Sequence, residues 1–303
     1  MLATAWPAPF SDPGWRFEPK WDGIRGVLSW DGSVVRLHTR TGAEVAARYP
    51  ELRPAAALPA CVLDGEVVVL SEGRASFERL QQRSALTPSG LRDHPVSFVA
   101  FDVLHLEGHP LIDLPLEARQ DHLAGLDLGP PFEVVAPTVD GAALWDRVAV
   151  RDLEGMVAKR SGSPYRPGVR SADWRKVAHL HTVKAVVGGF TRGEGGRGGT
   201  LGALVLGLWE ADRLRWIGNV GTGFSDRDLA AIRAALQEMR TAASPFHPDP
   251  ELPPLVPVEP HLVAVVGYRN WTNAGRIRHP RFKGFAEDDA ESLTWEREGA
   301  PGG

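Results

Sequence analysis

The stretch WRFEPKWDGIRGVLSWDGSVVRLHT, residues 15–39, sets the expected fold of the first half of the chain. Apolar and polar residues alternate along three short segments of it, as they do in strands that bury one face. Asp31-Gly32 separates the last two segments and is a common hairpin turn, so these strands should be antiparallel neighbours.

The remaining patterns of the first half mix strands and helices. Strands are predicted at 61–70, 96–106 and 154–160, and helices at 46–58, with a break near Pro54, and at 74–84, 116–126 and 143–152. Because the two element types follow no regular βαβ rhythm, the sequence favours an α+β domain over a doubly wound sheet.

The texture changes after about residue 182. Three strand-like segments follow one another at 183–191, 201–209 and 213–220. A helix should begin after Ser225, a good N-cap residue with Asp228 in the capping-box position. A connector with seven prolines and a strand at 259–268 complete the pattern. Strands around one helix predict a small β-barrel of the OB type, and hence two domains, 1–182 and 183–303.

Composition excludes several classes of protein. The 303 residues are 43% hydrophobic and 24% charged, which is ordinary for a globular protein, and no apolar stretch is long enough to cross a membrane. The first residues have no basic start and no long apolar run, so no signal peptide is expected. A single cysteine, Cys61, suits a reducing cytoplasm. Neither CxxC nor HExxH occurs, so no transition-metal site is indicated.

Charge is distributed unevenly. The net charge of −4 argues weakly against nucleic-acid binding, yet residues 260–286 contain five basic side chains, no acidic one and Trp271. A basic stretch that carries an aromatic residue is typical of a nucleic-acid face, although a solvated loop would look similar. The five are Arg269, Arg276, Arg278, Arg281 and Lys283.

Lysine is rare in this chain. Only five of the 34 basic residues are Lys, and one of them, Lys20, lies between Glu18 and Asp22 ahead of a glycine. Arg never loses its proton in a protein, whereas Lys does so when burial or a neighbouring cation lowers its pKa. A nucleophilic amine is therefore one explanation of Lys20, and chance on a solvated strand is the other.

Carboxylates occur on segments that otherwise look buried. Asp64 and Glu66 lie two apart on one strand, Asp102 follows Phe101 on another, and Glu154 opens a third. Unpaired buried carboxylates are unfavourable, so these acids either face water or hold a charged partner. Oxygen-rich acids suit Mg²⁺, and Mg²⁺ suits nucleotide phosphates.

Two familiar phosphate-binding motifs do not apply. GEGGRG at 193–198 fits GxGxxG, but it lies between two strands and opens no helix, which favours a glycine-rich hairpin loop. No GK[ST] sequence occurs, so the chain has no P-loop.

The order of six short motifs is more specific than any one of them. KWDGIR, HTRTG, LDGE, FDVL, EGMVAKR and DWRKV together resemble the ordered motifs of the covalent nucleotidyltransferases, which include DNA ligases and mRNA capping enzymes. PFSDPGWRFEPKWDGIR, SPYRPGVRSADWRKV, WIGNVGTGF and RIRHPRFKGF extend the resemblance to ATP-dependent DNA ligases, especially the ligase module of bacterial end-joining ligases. The resemblance implies an α+β nucleotidyltransferase domain, ATP-grasp-like with mostly antiparallel sheets, followed by an all-β OB-fold barrel.

The resemblance assigns a nucleotide-binding role to five residues. Lys20 matches the lysine that attacks the α-phosphate of ATP and carries AMP. Glu18 matches the residue that reads the adenine amino group, and Phe101 matches the aromatic ring that stacks on adenine. Arg25 and Arg40 match residues around the ribose and the phosphates.

Four further residues match positions near the phosphates and the metal. Glu66 matches an acid that contacts the ribose or a metal, and Glu154 an acid near the α-phosphate and the metal. Arg170 and Lys176 match a basic pair that neutralises charge in the transition state. The family usually has a second lysine two positions after the last of these, where this chain has Ala178.

The implied enzyme uses ATP with Mg²⁺, or Mn²⁺ in its place, to seal nicked or broken double-stranded DNA. The implied partners are a Ku-like end-binding protein and an end-processing polymerase, for a monomeric ligase in the bacterial cytoplasm, associated with the nucleoid. Two alternatives stay open: a capping guanylyltransferase, which shares KxDG and an OB domain, and a catalytically inactive DNA-binding relic, which Ala178 keeps in view.

Overall fold

The computed structural model describes residues 1–54, 57–71, 74–83, 91, 94–193 and 201–299. The chain divides into two compact units, Met1–His179 and Leu180–Gly303. The functional division into an adenylation domain, 1–182, and a DNA-binding OB-fold domain, 183–303, stays a prediction.

The first unit contains eleven strands and three α-helices within the described ranges. The strands are β1 (Leu2–Ala5), β2 (Trp15–Pro19), β3 (Ile24–Trp30), β4 (Val35–Thr39), β5 (Cys61–Ser71), β6 (Arg74–Ala75), β7 (Val96–Leu106), β8 (His109–Pro110), β9 (Phe132–Val134), β10 (Gly155–Arg160) and β11 (Arg170–Ala178). The helices are α1 (Phe77–Arg83), α2 (Leu116–Ala124) and α3 (Gly141–Val150).

These strands form two sheets. The larger has the order β4-β3-β5-β7-β8, with β6 also paired to β5 and β9 to β7, and the smaller has the order β1-β11-β10-β2. All of these pairs are antiparallel except β1 with β11 and β7 with β9. The predicted α+β fold with mostly antiparallel sheets is therefore confirmed.

Burial explains why these segments are strands. Leu63, Val67 and Val69 on β5 are fully buried and pack with β7 in the core of the larger sheet. Phe17 on β2 and Met156 on β10 are equally buried in a separate core under the smaller sheet. One face of each strand is thus committed to a core, and the opposite face is available for polar side chains.

The helix predicted at 46–58 is wrong. The described part of this segment contains a single 3₁₀ turn, Ala46–Arg48, and Tyr49 after it leaves the helical region with φ −132° and ψ 60°. Pro50 disfavours the helical conformation for the residue before it, and Pro54 would do the same four residues later. The predicted break near Pro54 was therefore too late in the segment, because Pro50 already ends the helical turn.

The second unit is mostly β-structure. Its strands are β12 (His181–Arg192), β13 (Leu201–Glu210), β14 (Arg213–Val220), β15 (Val256–Pro257), β16 (Val263–Tyr268) and β17 (Arg281–Ala286). Its helices are α4 (Asp226–Glu238), a 3₁₀ turn Ala290–Ser292 and α5 (Trp295–Glu298). The strands form one antiparallel sheet with the order β14-β13-β12-β16-β17, with β15 against β12.

Helix α4 begins after Ser225 as predicted, and the Ser225 carbonyl accepts from the amide of Leu229. The capping role of Asp228, like the loop GEGGRG, lies outside the described residues, and both stay predictions. Among the described residues, no helix combines the length and apolar character that a bilayer span requires.

Candidate active site

Lys20 lies directly after β2, at the edge of a pocket of about 210 Å³. Its backbone amide donates to the carbonyl of Gly155 over 2.9 Å, which ties it to the start of β10. Its amine forms an ion pair with Glu154, and the two side chains are only 23% and 21% exposed. The amine is thus largely shielded from solvent and paired with a carboxylate. It must lose its proton before it can act as a nucleophile.

Two glycines allow the strands around Lys20 to approach one another. A Cβ on Gly23 would lie 2.1 Å from the carbonyl oxygen of Val67, next to the side chain of Glu66. Gly155 has φ +144°, and a Cβ there would lie 2.1 Å from the carbonyl oxygen of Val177. Because no other residue fits at these points, the glycines of KWDG and EGMVAKR bring the acids close to the lysine.

The pocket is lined by many charged groups, and cations outnumber carboxylates among them. Its lining holds six cationic side chains and two carboxylates, together with aromatic rings on one wall. The charged groups are Glu18, Lys20, Arg25, Arg40, Glu66, Lys159, Arg170 and Lys176, and the rings are Trp21, Phe101 and Trp174. An excess of cations suits a polyphosphate, and the aromatic wall suits a flat base.

The positive charges around Lys176 make its protonated form less favourable. Burial lowers the pKa of Lys176, and the neighbouring charges of Lys20 and Arg170 lower it further, while Glu154 opposes them. An anion in the pocket would relieve this repulsion, so the cluster favours a ligand with several negative charges.

Glu66 has a strongly shifted pKa. Burial raises the pKa of this carboxyl from 4.5 to about 8; Lys20 and Arg25 oppose the shift, and Glu154 and Asp64 add to it. Two acids that repel each other beside a lysine form a set of oxygen ligands that a divalent cation would stabilise.

The shift at Glu66 gives a stability prediction. Between about pH 5 and 8 the unfolded carboxyl is ionised while the folded one keeps its proton, so raising the pH favours unfolding. Without nucleotide or divalent metal, the free energy of unfolding should fall by up to about 1.4 kcal/mol per pH unit in this window. Denaturant unfolding of Glu66→Gln at pH 5.5, 6.5 and 7.5 should show a flatter decline. Glu133→Gln, on an exposed site, is the control, and equal slopes in all three proteins would contradict the prediction.

Arg25 is held in place by a buried carboxylate. It donates from Nε to Asp64 Oδ1 over 3.0 Å and from Nη2 to Asp64 Oδ2 over 2.6 Å. The hydroxyl of Tyr165 donates to the same carboxylate over 2.8 Å, and Asp64 is fully buried. This two-pronged contact fixes the guanidinium at the pocket wall.

Sequence profiles of known families match both halves of the chain. The ATP dependent DNA ligase domain matches residues 1–178, and the ATP dependent DNA ligase C terminal region matches residues 197–289. The chain belongs to the ATP-dependent DNA ligase family.

The chain is similar in sequence to relatives of two kinds, the long LigD proteins and a DNA ligase that it matches over most of its length. The multifunctional non-homologous end joining DNA repair protein LigD of Mycobacterium tuberculosis is 38% identical over 288 residues, covering 92% of this chain and 37% of that protein. DNA ligase C2 of Mycolicibacterium smegmatis is 32% identical, covering 95% of this chain and 91% of that protein. The chain therefore spans little more than a third of the length of the LigD proteins that it matches.

Solved structures of ligases share the fold. The mycobacterial DNA ligase D complexed with ATP and MES is 35% identical, covers 97% of this chain and 96% of its own, and has a TM-score of 0.56. A Lig E DNA ligase has a TM-score of 0.61 at 21% identity, which supports the fold alone. The expected fold, a nucleotidyltransferase domain followed by an OB-fold domain, is confirmed.

The structure brings all nine predicted site residues together, although their roles stay predictions. Eight of them line the pocket, and the ninth, Glu154, contacts Lys20. The eight are Glu18, Lys20, Arg25, Arg40, Glu66, Phe101, Arg170 and Lys176.

Sequence reasoning missed Lys159 and Trp174. Lys159 is 1% exposed and pairs with Glu18 over 2.7 Å, and both missed residues line the pocket. The available signal was the scarcity of lysine, since Lys159 is one of five in an Arg-rich chain.

Asp102 was grouped with the possible metal ligands, and the structure gives it another partner. Its carboxylate accepts two hydrogen bonds from Arg119, at 2.8 and 3.0 Å, and both residues are fully buried. A carboxylate occupied in this way anchors α2 to β7 and does not face the pocket.

Proposed function

We propose that this chain is an ATP-dependent DNA ligase that joins a 5′-phosphate to a 3′-hydroxyl through a lysyl-AMP intermediate on Lys20. The observation that carries the proposal is the lysine amine paired with Glu154 at the edge of a cation-rich pocket with an aromatic wall. The chain's membership of the ligase family supports the same chemistry.

In the first step, Nζ of Lys20 attacks the α-phosphorus of ATP. A P–N bond forms, the P–O bond to the β-phosphate breaks, and pyrophosphate leaves with the bonding electron pair. The amine loses its proton in this step, and Glu154, its partner in the ion pair, is placed to receive it. Arg170 and Lys176 would stabilise the charge that develops on the departing phosphates.

The base and the sugar are recognised by other parts of the pocket. Glu18 offers carboxylate oxygens, which accept a hydrogen bond from the adenine amino group and repel the O6 of guanine. Phe101 offers an aromatic face to the base. Arg25 and Arg40 would contact the ribose and the phosphates.

The acids of the pocket fit a divalent cation. Burial raises the pKa of Glu66 and repulsion by Glu154 adds to the shift, and carboxylate oxygens of this kind suit Mg²⁺ or Mn²⁺. Bound there, the ion would neutralise phosphate charge during the transfer.

The two later steps use the DNA. An oxygen of the DNA 5′-phosphate attacks the α-phosphorus of lysyl-AMP, the P–N bond breaks, and Lys20 regains a proton. The 3′-hydroxyl then attacks the 5′-phosphorus, AMP leaves, and a phosphodiester bond is formed. Backbone contacts by charge, rather than base reading, suit a substrate of any sequence.

Support for the biological role of the chain comes from its relatives. LigD proteins are named for non-homologous end joining, which supports a role in double-strand break repair for this chain. We accordingly propose nicked or broken double-stranded DNA as substrate, and a Ku-like end-binding protein or an end-processing polymerase as partner. The proposed location is the bacterial cytoplasm at the nucleoid.

The decisive experiment is covalent labelling. Incubated with α-labelled ATP and Mg²⁺, the protein should acquire an AMP adduct, which should disappear when nicked DNA is added as the DNA is sealed. Labelling by GTP and not by ATP would identify a capping-type guanylyltransferase. Absence of any adduct would leave a DNA-binding relic and overturn the proposal.

The acid-free run 260–286 gives a prediction for DNA binding. Along β17 the side chains of Arg281 and Lys283 are exposed and Phe282 between them is buried, so the two cations share one face. Replacing both by Gln should lower the slope of log affinity for nicked DNA against log salt by about 0.9 for each lost phosphate contact. An unchanged slope would place the DNA on another surface.

Arg276 belongs to the same run but serves as a contrast. It pairs with Asp249, lies 4.3 Å from the ring centroid of Trp216, and donates to the carbonyl of that residue. Its charge is thus engaged within the fold, so Arg276→Gln should change stability more than the salt slope. Arg151→Gln, an exposed cation outside the run, completes the controls.

A further inference from the structure

The buried carboxylate of Glu18 is gripped from two sides. Its Oε1 accepts from Nε2 of Gln120 on α2 over 2.9 Å, and its Oε2 accepts from Nζ of Lys159 on β10 over 2.7 Å. Glu18 is 3% exposed and Lys159 is 1% exposed. A carboxylate removed from water to this degree stays ionised only where cations and donors compensate it.

Lys159 also fixes the aromatic wall. Its amine donates to the carbonyl of Phe101 over 2.8 Å and lies 4.6 Å from the ring centroid of Phe101 and 4.5 Å from that of Trp174. The two rings meet edge to face at 6.0 Å. One ammonium therefore links the acid that would read the edge of the base to the ring that would stack on its face.

The contacts with Gln120 and Lys159 leave part of the Glu18 carboxylate available to a ligand. An ionised carboxylate has about four lone-pair positions, and the two protein donors occupy two of them. Since such a group only accepts, Gln120 must present its NH₂ group to it, and the amide cannot turn its oxygen inward. Glu18 is thus held as a pure acceptor at the pocket wall.

We propose that Gln120 and Lys159 are positioning residues that set the choice of purine by holding Glu18 as a fixed acceptor for a 6-amino group. The inference rests on the proposed function, since it names how the same pocket distinguishes adenine from a 6-oxo purine. Without either partner, Glu18 can turn or take up a proton, and a protonated carboxyl donates to a 6-oxo group as readily as it accepts from an amine.

The test measures discrimination rather than activity. ATP and ITP differ only along one edge of the base, with a 6-amino group and a bare N1 in ATP and a 6-oxo group and an N1–H in ITP, so the ratio of their dissociation constants reports how Glu18 reads this edge. Binding is measured in a Lys20→Ala background, where no adduct forms, and the ratio of kcat/KM for adduct formation is measured with Lys20 in place. A charge-assisted contact predicts that the native ratio falls about ten- to hundredfold in Gln120→Met and in Lys159→Met.

Gln120→Glu sharpens the test. It puts two carboxylates in contact, which favours a shared proton between them, and the preference for ATP should fall further than in Gln120→Met. Asp121→Ala, the exposed neighbour on the same helix, is the matched control and should keep the native ratio. If Lys159→Met does not fold, the two Gln120 variants carry the test by themselves.

The outcomes separate the two proposals. A general loosening of the fold would weaken ATP and ITP equally and leave their ratio unchanged, so a native ratio in the folded Gln120 variants overturns the positioning role. An unmodified protein that forms no adduct overturns the proposed function instead, whatever the ratios of the variants.

Discussion

Lys20→Arg is expected to abolish the covalent AMP adduct completely. Arginine keeps the positive charge and the ion pair with Glu154, but it supplies no deprotonated nitrogen to attack phosphorus. The site is 23% exposed, so the free energy of unfolding should change by no more than about 1 kcal/mol. Labelling with α-labelled ATP and a thermal unfolding curve measure the two quantities.

Lys184→Arg provides the matched control for this variant. Lys184 is also paired with a carboxylate, Asp288, and is 44% exposed, so the same exchange there should leave adduct formation intact. An AMP adduct on folded Lys20→Arg protein would show that another residue is the nucleophile.

Lys176→Met is expected to slow adduct formation about a hundredfold. Lys176 lines the pocket, and partial burial together with the charges of Lys20 and Arg170 lowers its pKa, so we expect a phosphate of ATP to pair with its ammonium. A charge-assisted contact contributes about 1.5–3 kcal/mol, or about ten- to hundredfold in rate. Since position 178 is Ala, no second lysine there can make a similar contact. Single-turnover labelling at saturating ATP measures the loss, and Lys176→Arg should recover part of it. An unaltered rate would remove Lys176 from the transition state.

The reverse substitution tests the same idea. Lys176 and Ala178 are both exposed on β11, with Val177 buried between them, so they share a face. Ala178→Lys should therefore speed adduct formation or lower the ATP requirement by up to about tenfold. Arg175 does not replace the missing amine, because it is stacked 3.7 Å from the ring centroid of Trp6 and 4.2 Å from that of Trp15. If Ala178→Lys changes neither quantity, Arg40 or Arg170 already fills the position.

Local patterns predicted most of the strands because alternation records which face is buried. The segments 61–70 and 96–106 correspond to β5 and β7 almost residue for residue. The failure at 46–58 came from expecting a break only near Pro54, whereas Pro50 already restricts the residue before it. Where spacing and proline conflict, the backbone restriction decides.

Contacts between distant segments could not be read from such patterns. Glu18 and Lys159 are far apart in sequence and meet only because β2 pairs with β10, with Glu18 opposite Val157. Asp102 looked like a ligand until α2 brought Arg119 to it. Short motifs identified the residues that line the site. The pairing of the strands decides which of their charges form ion pairs within the protein and which remain available to a ligand.

The ion pair between Lys20 and Glu154 has a consequence for inhibitor design. Electrophiles that target lysine must reach its amine, and here the carboxylate of Glu154 is paired with that amine. A compound that combines an electrophile with a cationic group placed to pair with Glu154 would match both members of this ion pair, whereas a surface lysine without such a partner would offer it only the amine.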